Sequence, residues 1–332
     1  MVITKTPFRM SFFGGGTDME FWFKQYGGAV LSTTFNHYCY VIARRLPPFF
    51  NYSTELAYQR IERVNDVEEI RHPAIRNAMK MLDMRHVRLT YDADLPARAG
   101  LGSSSSFAVG MLYAFHALRG ESVDKKALAD EAIYLERELC GETGGWQDQI
   151  AAAFGGLNRI DFDAQGYRVS PISITPERKR DLQNRLLLFF TGFTRFSSEI
   201  HAANGLNQRG KERFLQSMYD LVGRAETVLR DSHTNLDEFG VLLDQTWRLK
   251  RQTGSTVSTP VIDKAYERGI AAGAFGGKLL GAGGGGFLLF YVRPEHRDAV
   301  RQAMEGFLPI PFAFEEAGSR ILYHDAIPHV EM

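Results

Sequence analysis

The chain has 332 residues, 44% hydrophobic and 23% charged, a balance that excludes disordered and fibrous classes. Lys and Arg number 39, as do Asp and Glu, so the formal net charge is +0 and no global field attracts nucleic acid or an anionic membrane surface. Cys39 and Cys140 are too few for a disulfide framework or a cysteine-built structural zinc site, and point to a reducing cytoplasm.

At about 150 residues per domain the length corresponds to about two domains. Met1 to Phe13 lacks the ordered regions of a signal peptide, and no apolar run reaches the roughly 20 residues of a membrane helix, so the sequence reads as soluble. Glycine is the compositional outlier at 32 residues, and its placement carries the information.

In chain order, Val2 to Phe13 reads as a strand running into Gly14-Gly15-Gly16, and Ala29 to Phe35 and Tyr38 to Arg44 as two strands around a short turn. Pro73 to Leu82 is predicted helical and Val87 to Ala93 a strand. Pro96 to Gly102 then opens directly into a helix whose Phe107, Met111, Phe115 and Leu118 recur at helical spacing. A helix from Asp124 to Gly141 follows, then a glycine-rich loop and a short helix through Phe154. Strands are predicted at Leu157 to Phe162, Tyr167 to Ile174 and Arg185 to Thr191, with a domain boundary between Thr175 and Arg185. Ser197 to Lys250 is helical in pattern, with a capping-box start at Asn235 and Glu238. Thr259-Pro260 opens another helix, and strands near Lys278 to Phe290, Pro311 to Glu315 and Arg320 to His324 surround a helix from Glu295 to Met304.

Three segments carry chemistry. Gly100-Leu101-Gly102-Ser103-Ser104-Ser105 joins two glycines, which let backbone approach a ligand closely, to the amides of a helix N-terminus, which favour anions. It reads as a phosphate cradle, although an ordinary serine-capped loop has the same sequence. It is not a P-loop, and the G-x-G-x-x-G match at Gly281, Gly283 and Gly286 precedes a strand where a dinucleotide fingerprint needs a helix. Four glycines at 283 to 286 read either as a bulged hairpin or as backbone forced against another loop or a ligand, with Lys278 a nearby cation. The carboxylates of Glu136 and Asp148 offer one metal ligand and one proton acceptor, the two roles phosphoryl transfer needs beside positive charge. Arg9 on the first strand and Asp18 after the first glycine turn offer a cation for phosphate and an acceptor for sugar hydroxyls. Each residue taken singly also suits a solvated face or a plain turn.

In this order, Pro7 to Asp18, the Pro96 to Ser105 run and Lys278 to Gly286 resemble the three motifs of the GHMP small-molecule kinases. The resemblance implies an α+β GHMP kinase fold: an N-terminal domain over 1–180 like the second domain of ribosomal protein S5, and a ferredoxin-like C-terminal domain over 181–332. It implies ATP and Mg2+, with Gly100 to Ser105 around the phosphates, Ser104 and Glu136 as metal ligands, Asp148 as base and Arg9 beside the transferred phosphoryl group. Gly15, Gly16, Thr17 and Asp18 would face the sugar, and the third motif would back the phosphate loop. Galactokinases carry Glu-His where Gly15 and Gly16 stand, and the loss of these two bulky polar groups would leave room for a longer sugar. GGGTD, Tyr26-Gly27-Gly28 and the segment containing Arg195 look closest to the bacterial D-glycero-D-manno-heptose 7-phosphate kinases. That likeness implies a sugar 1-kinase acting on a small-molecule sugar phosphate, on the way to nucleotide-activated heptose for surface polysaccharide. Arg44, Arg45, Arg98, Arg195 and Lys250 are candidates for the second phosphate, and residues 45–85 for the adenine pocket. A kinase of free mannose or fucose, a catalytically silent nucleotide- or sugar-binding regulator and a decarboxylase of the mevalonate branch are the alternatives. Oligomeric state stays open, a homodimer being compatible.

Overall fold

The computed structural model describes residues 1–97, 99–192 and 211–325. Among these, two sheets and the helices around them form the α+β architecture. The larger sheet has nine strands, with Arg320–His324, Val2–Phe13, Gly28–Arg45, Val87–Ala93, Thr54–Ala57 and Ile61–Val64 in spatial order. The smaller has four in the order Leu308–Ile310, Leu186–Phe190, Phe287–Val292 and Ala274–Leu279, all antiparallel. Numbered along the chain, that order is 4-1-3-2, the ferredoxin-like arrangement. All six residues of Phe287–Val292 are buried, which is why the strand reads as an unbroken apolar run.

The pair Val2–Phe13 and Gly28–Arg45 is the backbone of the first sheet. The expected turn between two short strands is absent: Gly28–Arg45 is continuous, and Pro7 pairs with Tyr38 while Phe8 pairs with Phe35, so Asn36 and His37 form a bulge. Helix Ser103–Arg119 lies across these strands with 13 buried residues, which explains its nearly uniform apolar surface. Its approach is close at Gly110, whose carbonyl accepts the Thr4 hydroxyl at 2.9 Å and where a Cβ would sit 2.7 Å from Thr6 Oγ1. Nearer its start, the Ser106 hydroxyl donates to Pro7 O at 2.9 Å, which sets the helix N-terminus beside the first strand.

Helix Lys125–Tyr134 starts on Asp124, whose carboxylate accepts the Ala127 amide at 2.8 Å, and widens into a π-turn over Leu135–Leu139. Where a domain boundary was expected, Thr175 caps a polar helix, Pro176–Asn184, that buries only Leu182. The capping box at Asn235 does not form: Asn235 Oδ1 accepts the Asp237 amide at 3.0 Å, and helix Asp237–Arg251 starts without a side-chain cap. Thr259 does cap Pro260–Ala271, accepting from the Ile262 amide. The chain then leaves the smaller sheet and returns: Phe314–Glu315 pairs with Gly28–Arg45, and Arg320–His324 pairs with Val2–Phe13. The last strands assigned to 181–332 by sequence thus complete the first sheet. Among the described residues no helix is long and apolar enough to cross a membrane.

Candidate active site

One cleft collects the first strand's end, the serine loop, the loop before Asp148 and the third glycine-rich segment. Strand alternation puts Arg9 and Ser11 on the same face of Val2–Phe13, toward this cleft. The Arg9 amide donates to Leu101 O at 3.1 Å, and its Nη1 to Gly100 O at 2.7 Å, so the strand and the loop are tied twice. Arg9 then grips Asp148 with Nε to Oδ1 at 2.7 Å and Nη2 to Oδ2 at 2.8 Å, a bidentate, charge-assisted pair. The guanidinium that was expected at the phosphoryl group is first of all the clamp of the Asp148 carboxylate.

The serine loop turns at Gly102, in the left-handed region with φ 72, and this residue is the N-cap of Ser103–Arg119. A Cβ there would lie 3.3 Å from both Arg9 Cγ and Asp148 Cγ, so the helix mouth abuts the Arg9–Asp148 pair. Gly102 has no side chain to cap the first amides, and the helix N-terminus opens on the cleft, the arrangement that attracts anions. The third segment supports it by backbone contact. A Cβ at Gly281 would lie 2.3 Å from Gly100 Cα, and one at Gly286 2.2 Å from Ala99 O, which is why side chains are missing there. Of the two readings of these glycines, backbone packed against another loop is the one seen.

The π-turn presents Glu136, 1% exposed, to the serines. Ser104 Oγ donates to Oε1 at 2.7 Å, Ser105 Oγ to Oε2 at 2.6 Å, and the Gln149 amide also to Oε2. Among the described residues no group of three or more His, Cys, Asp or Glu side chains is placed to hold a metal. One carboxylate and one exposed hydroxyl within hydrogen-bond reach nevertheless fit Mg2+, which takes few protein oxygens and completes its shell with water and phosphate.

On the far side, Asp18 is buried, accepting the Gly16 amide at 2.8 Å and the Gln147 amide at 3.3 Å. Burial first, and then the charge of Asp148, raise its pKa above the ordinary carboxylate value. Gly145 must be bare, because a Cβ would meet Asp18 Oδ2 at 1.8 Å. Gly15 and Gly16 line the cleft, and a Cβ at Gly15 would stand 3.9 Å from both Ser11 Oγ and Gln147 Nε2. Ser11 Oγ and Gln147 Oε1 are buried without partners, the state expected of groups that meet a hydroxylated ligand.

The structure thus gathers Arg9, Gly15, Gly16, Asp18, Gly100, Gly102, Ser103, Ser104, Ser105, Glu136 and Asp148. Thr17 and Leu101 do not line the cleft. The Thr17 hydroxyl is buried between Gly14 O at 2.8 Å and Ala29 O at 2.9 Å, holding the turn, and the Leu101 side chain is core. Arg195 and Arg98 lie outside the described residues; Arg44, Arg45 and the rest of 45–85 contribute nothing to the lining described. Sequence reasoning missed Ser11, Arg137 and Gln147. Alternation on the strand after Arg9 was the available signal for Ser11, and none marked the others.

Residues 68–156 match the GHMP kinases N terminal domain and residues 227–310 the GHMP kinases C terminal domain. The chain is 29% identical over 335 residues to the D-glycero-alpha-D-manno-heptose 7-phosphate kinase of Campylobacter jejuni, covering 95% of this chain and 97% of that one. It is also 29% identical over 219 residues to a bifunctional fucokinase/GDP-fucose pyrophosphorylase of Arabidopsis thaliana, covering 64% of this chain and 21% of that one. Among solved structures, a D-glycero-D-manno-heptose 1-phosphate kinase from Bacteroides thetaiotaomicron superposes with TM-score 0.78 at 24% identity, over 97% of this chain and 99% of that one.

Proposed function

Since the chain belongs to the GHMP kinases and is a sugar kinase, an ATP-using phosphotransferase with an alcohol acceptor, we propose that it phosphorylates the anomeric hydroxyl of D-glycero-D-manno-heptose 7-phosphate. The product is the 1,7-bisphosphate, which serves nucleotide-activated heptose and surface polysaccharide synthesis, in the cytoplasm where ATP is supplied. The observation that carries the reading is the contact of base and phosphate loop: the position of a Cβ on Gly102 is 3.3 Å from the carboxylate carbon of Asp148. An acceptor hydroxyl held by Asp148 is then next to a phosphoryl group held by the helix mouth.

In this reading Asp148 accepts the proton of the anomeric hydroxyl, and Arg9 fixes the carboxylate's orientation while its charge offsets the approaching phosphoryl oxygens. The amides at the start of Ser103–Arg119 take phosphate oxygens. Ser104 and Glu136 would hold Mg2+, which supplies charge neutralisation of the phosphates when bound. Asp18, with Ser11 and Gln147 around the bare Gly15, takes sugar hydroxyls. The near full-length likeness to the Campylobacter enzyme favours the heptose phosphate over free hexoses.

An ADP-release assay over heptose 7-phosphate, mannose, fucose and galactose tests this. The expected result is a kcat/KM for heptose 7-phosphate at least tenfold above every free sugar. A tenfold preference for free mannose or fucose overturns the substrate, and ATP binding without ADP from any sugar overturns the activity.

A further inference from the structure

The cleft wall made by the third glycine-rich segment carries two ammonium groups that form no ion pair among the described residues. Lys278, on strand Ala274–Leu279 and 3% exposed, donates to Ser11 O at 2.8 Å and Phe12 O at 2.9 Å. Lys250, in the last turn of Asp237–Arg251, donates to Leu279 O at 3.3 Å and to Gly281 O. Both line the cleft. Each ammonium has three N–H bonds and two carbonyl partners, so each keeps one donor for a ligand.

The charged groups that line the same cleft are Arg9, Arg137, Asp18, Glu136, Glu142 and Asp148. Arg9 and Asp148 pair with each other, and burial, then the charge of Asp148, raise the pKa of Asp18. Among the described residues both ammonium groups are thus held by carbonyl oxygens rather than by a carboxylate. Burial, then Arg9, pull the pKa of Lys250 down to about 7, and burial, then Lys250 and Arg9, pull Lys278 well below its usual value. Burial opposes the charged form of each lysine, and a bound dianion favours it.

We propose that Lys250 and Lys278 form a phosphate seat in the wall of this cleft, where a phosphate group of the reacting pair becomes the missing anionic partner. The proposal rests on the kinase reading. Two groups share the chemistry: the phosphoryl group leaving ATP, beside Arg9, and the phosphate already on the sugar. The Ser11 hydroxyl, on the residue whose carbonyl receives Lys278, is buried without a partner and lines the same cleft.

The test uses the full chain and its Lys250→Met and Lys250→Arg variants, because Lys250 is only partly buried and Met keeps its stem. Pyrophosphate, without sugar or ATP, is expected to raise the Tm of wild type and Lys250→Arg and to raise that of Lys250→Met much less. In turnover, Lys250→Met is expected to lose at least tenfold in kcat/KM, about 1.4 kcal/mol, with part restored in Lys250→Arg. A fall in kcat with phosphorylated and free sugars alike places the transferred phosphoryl group in the seat. A rise in KM for heptose 7-phosphate alone places the sugar's own phosphate there. Pyrophosphate protection and kcat/KM within twofold of wild type in Lys250→Met, or no protection of wild type, overturn the proposal. If wild type releases no ADP with any sugar yet pyrophosphate protects it and not Lys250→Met, the kinase reading fails and the anion seat stands.

Discussion

Arg9 and Asp148, 139 residues apart, meet through two parallel bonds, Nε to Oδ1 at 2.7 Å and Nη2 to Oδ2 at 2.8 Å. The third guanidinium nitrogen holds Gly100 O at 2.7 Å, so one side chain fixes both the Asp148 carboxylate and the Gly100–Ser105 loop, the proposed proton acceptor and the proposed phosphate loop. Two of the roughly four acceptor sites of the carboxylate are used, which leaves others for an alcohol proton.

Asp148→Asn keeps one acceptor oxygen and removes the charge. Turnover is expected to fall by about 10²–10⁴, with nucleotide affinity, read by fluorescence titration, within a few fold of wild type. Arg9→Met is expected to lower both, because it frees the Asp148 carboxylate and unties the loop at Gly100. A near-normal kcat in Asp148→Asn removes the base assignment.

Glu136 accepts from Ser104, Ser105 and Gln149 at once, and an amide in its place has one acceptor oxygen and two surplus donors. Glu136→Gln is expected to lower stability by about 1–3 kcal/mol and to raise the half-saturating Mg2+ concentration at least tenfold. Ser104→Ala shares the second effect without the first, since Ser104 is exposed. An unchanged Mg2+ requirement in both variants removes the metal-ligand roles.

These side chains were legible from sequence to different degrees, for physical reasons. Local patterns fix local elements: alternation marks Val87–Ala93, and Thr259-Pro260 marks a helix start. Glycine next to serine marks the loop, because close backbone approach and a helix mouth need those residues in sequence. The polar helix Pro176–Asn184 buries only Leu182, so it has almost no periodic signal, and only the Thr175-Pro176 start was there to read. The π-turn at Leu135–Leu139 has an ordinary helical composition. Lys250 and Lys278 carry no sequence mark of burial, since their carbonyl partners come from Ser11, Phe12 and the 279–281 turn. Long-range pairing likewise hides the return of Arg320–His324 to the first sheet.

The glycines of the third segment are needed for space, and this separates them from glycine elsewhere. Gly286 has φ 107 and a Cβ there would be 2.2 Å from Ala99 O, at the start of the Gly100–Ser105 loop. Gly286→Ala is expected to lower stability by more than 2 kcal/mol or prevent folding, since strain at positive φ adds to the overlap at about 1–3 kcal/mol. Gly223, inside helix Glu212–Arg230, meets nothing within 4 Å, and Gly223→Ala is expected to raise stability by about 0.5–1 kcal/mol. Thermal unfolding of the two variants checks both signs, and a harmless Gly286→Ala contradicts the loop-backing contact.

His116 supplies a pH dependence away from the cleft. Its Nε2 is 2.7 Å from Glu131 Oε2 and its Nδ1 2.8 Å from Glu121 Oε2, so both ring nitrogens face carboxylates and the doubly protonated form is favoured. The bond to Glu131 is the largest influence and burial opposes it; the net effect raises the pKa above 6.5. A group whose pKa is higher folded than unfolded stabilises the fold fully below the unfolded value and loses that contribution as pH rises through the folded value. Wild-type stability is therefore expected to decline above pH 6.5 with a His116 contribution of at most about 1.4 kcal/mol per pH unit. In His116→Gln this part of the decline disappears, and the variant lies further below wild type at pH 6 than at pH 9. Denaturant midpoints at both pH values decide it: an equal deficit at the two means that the imidazolium has no part in holding the C-terminal end of helix Ser103–Arg119 to the helix that carries Glu131.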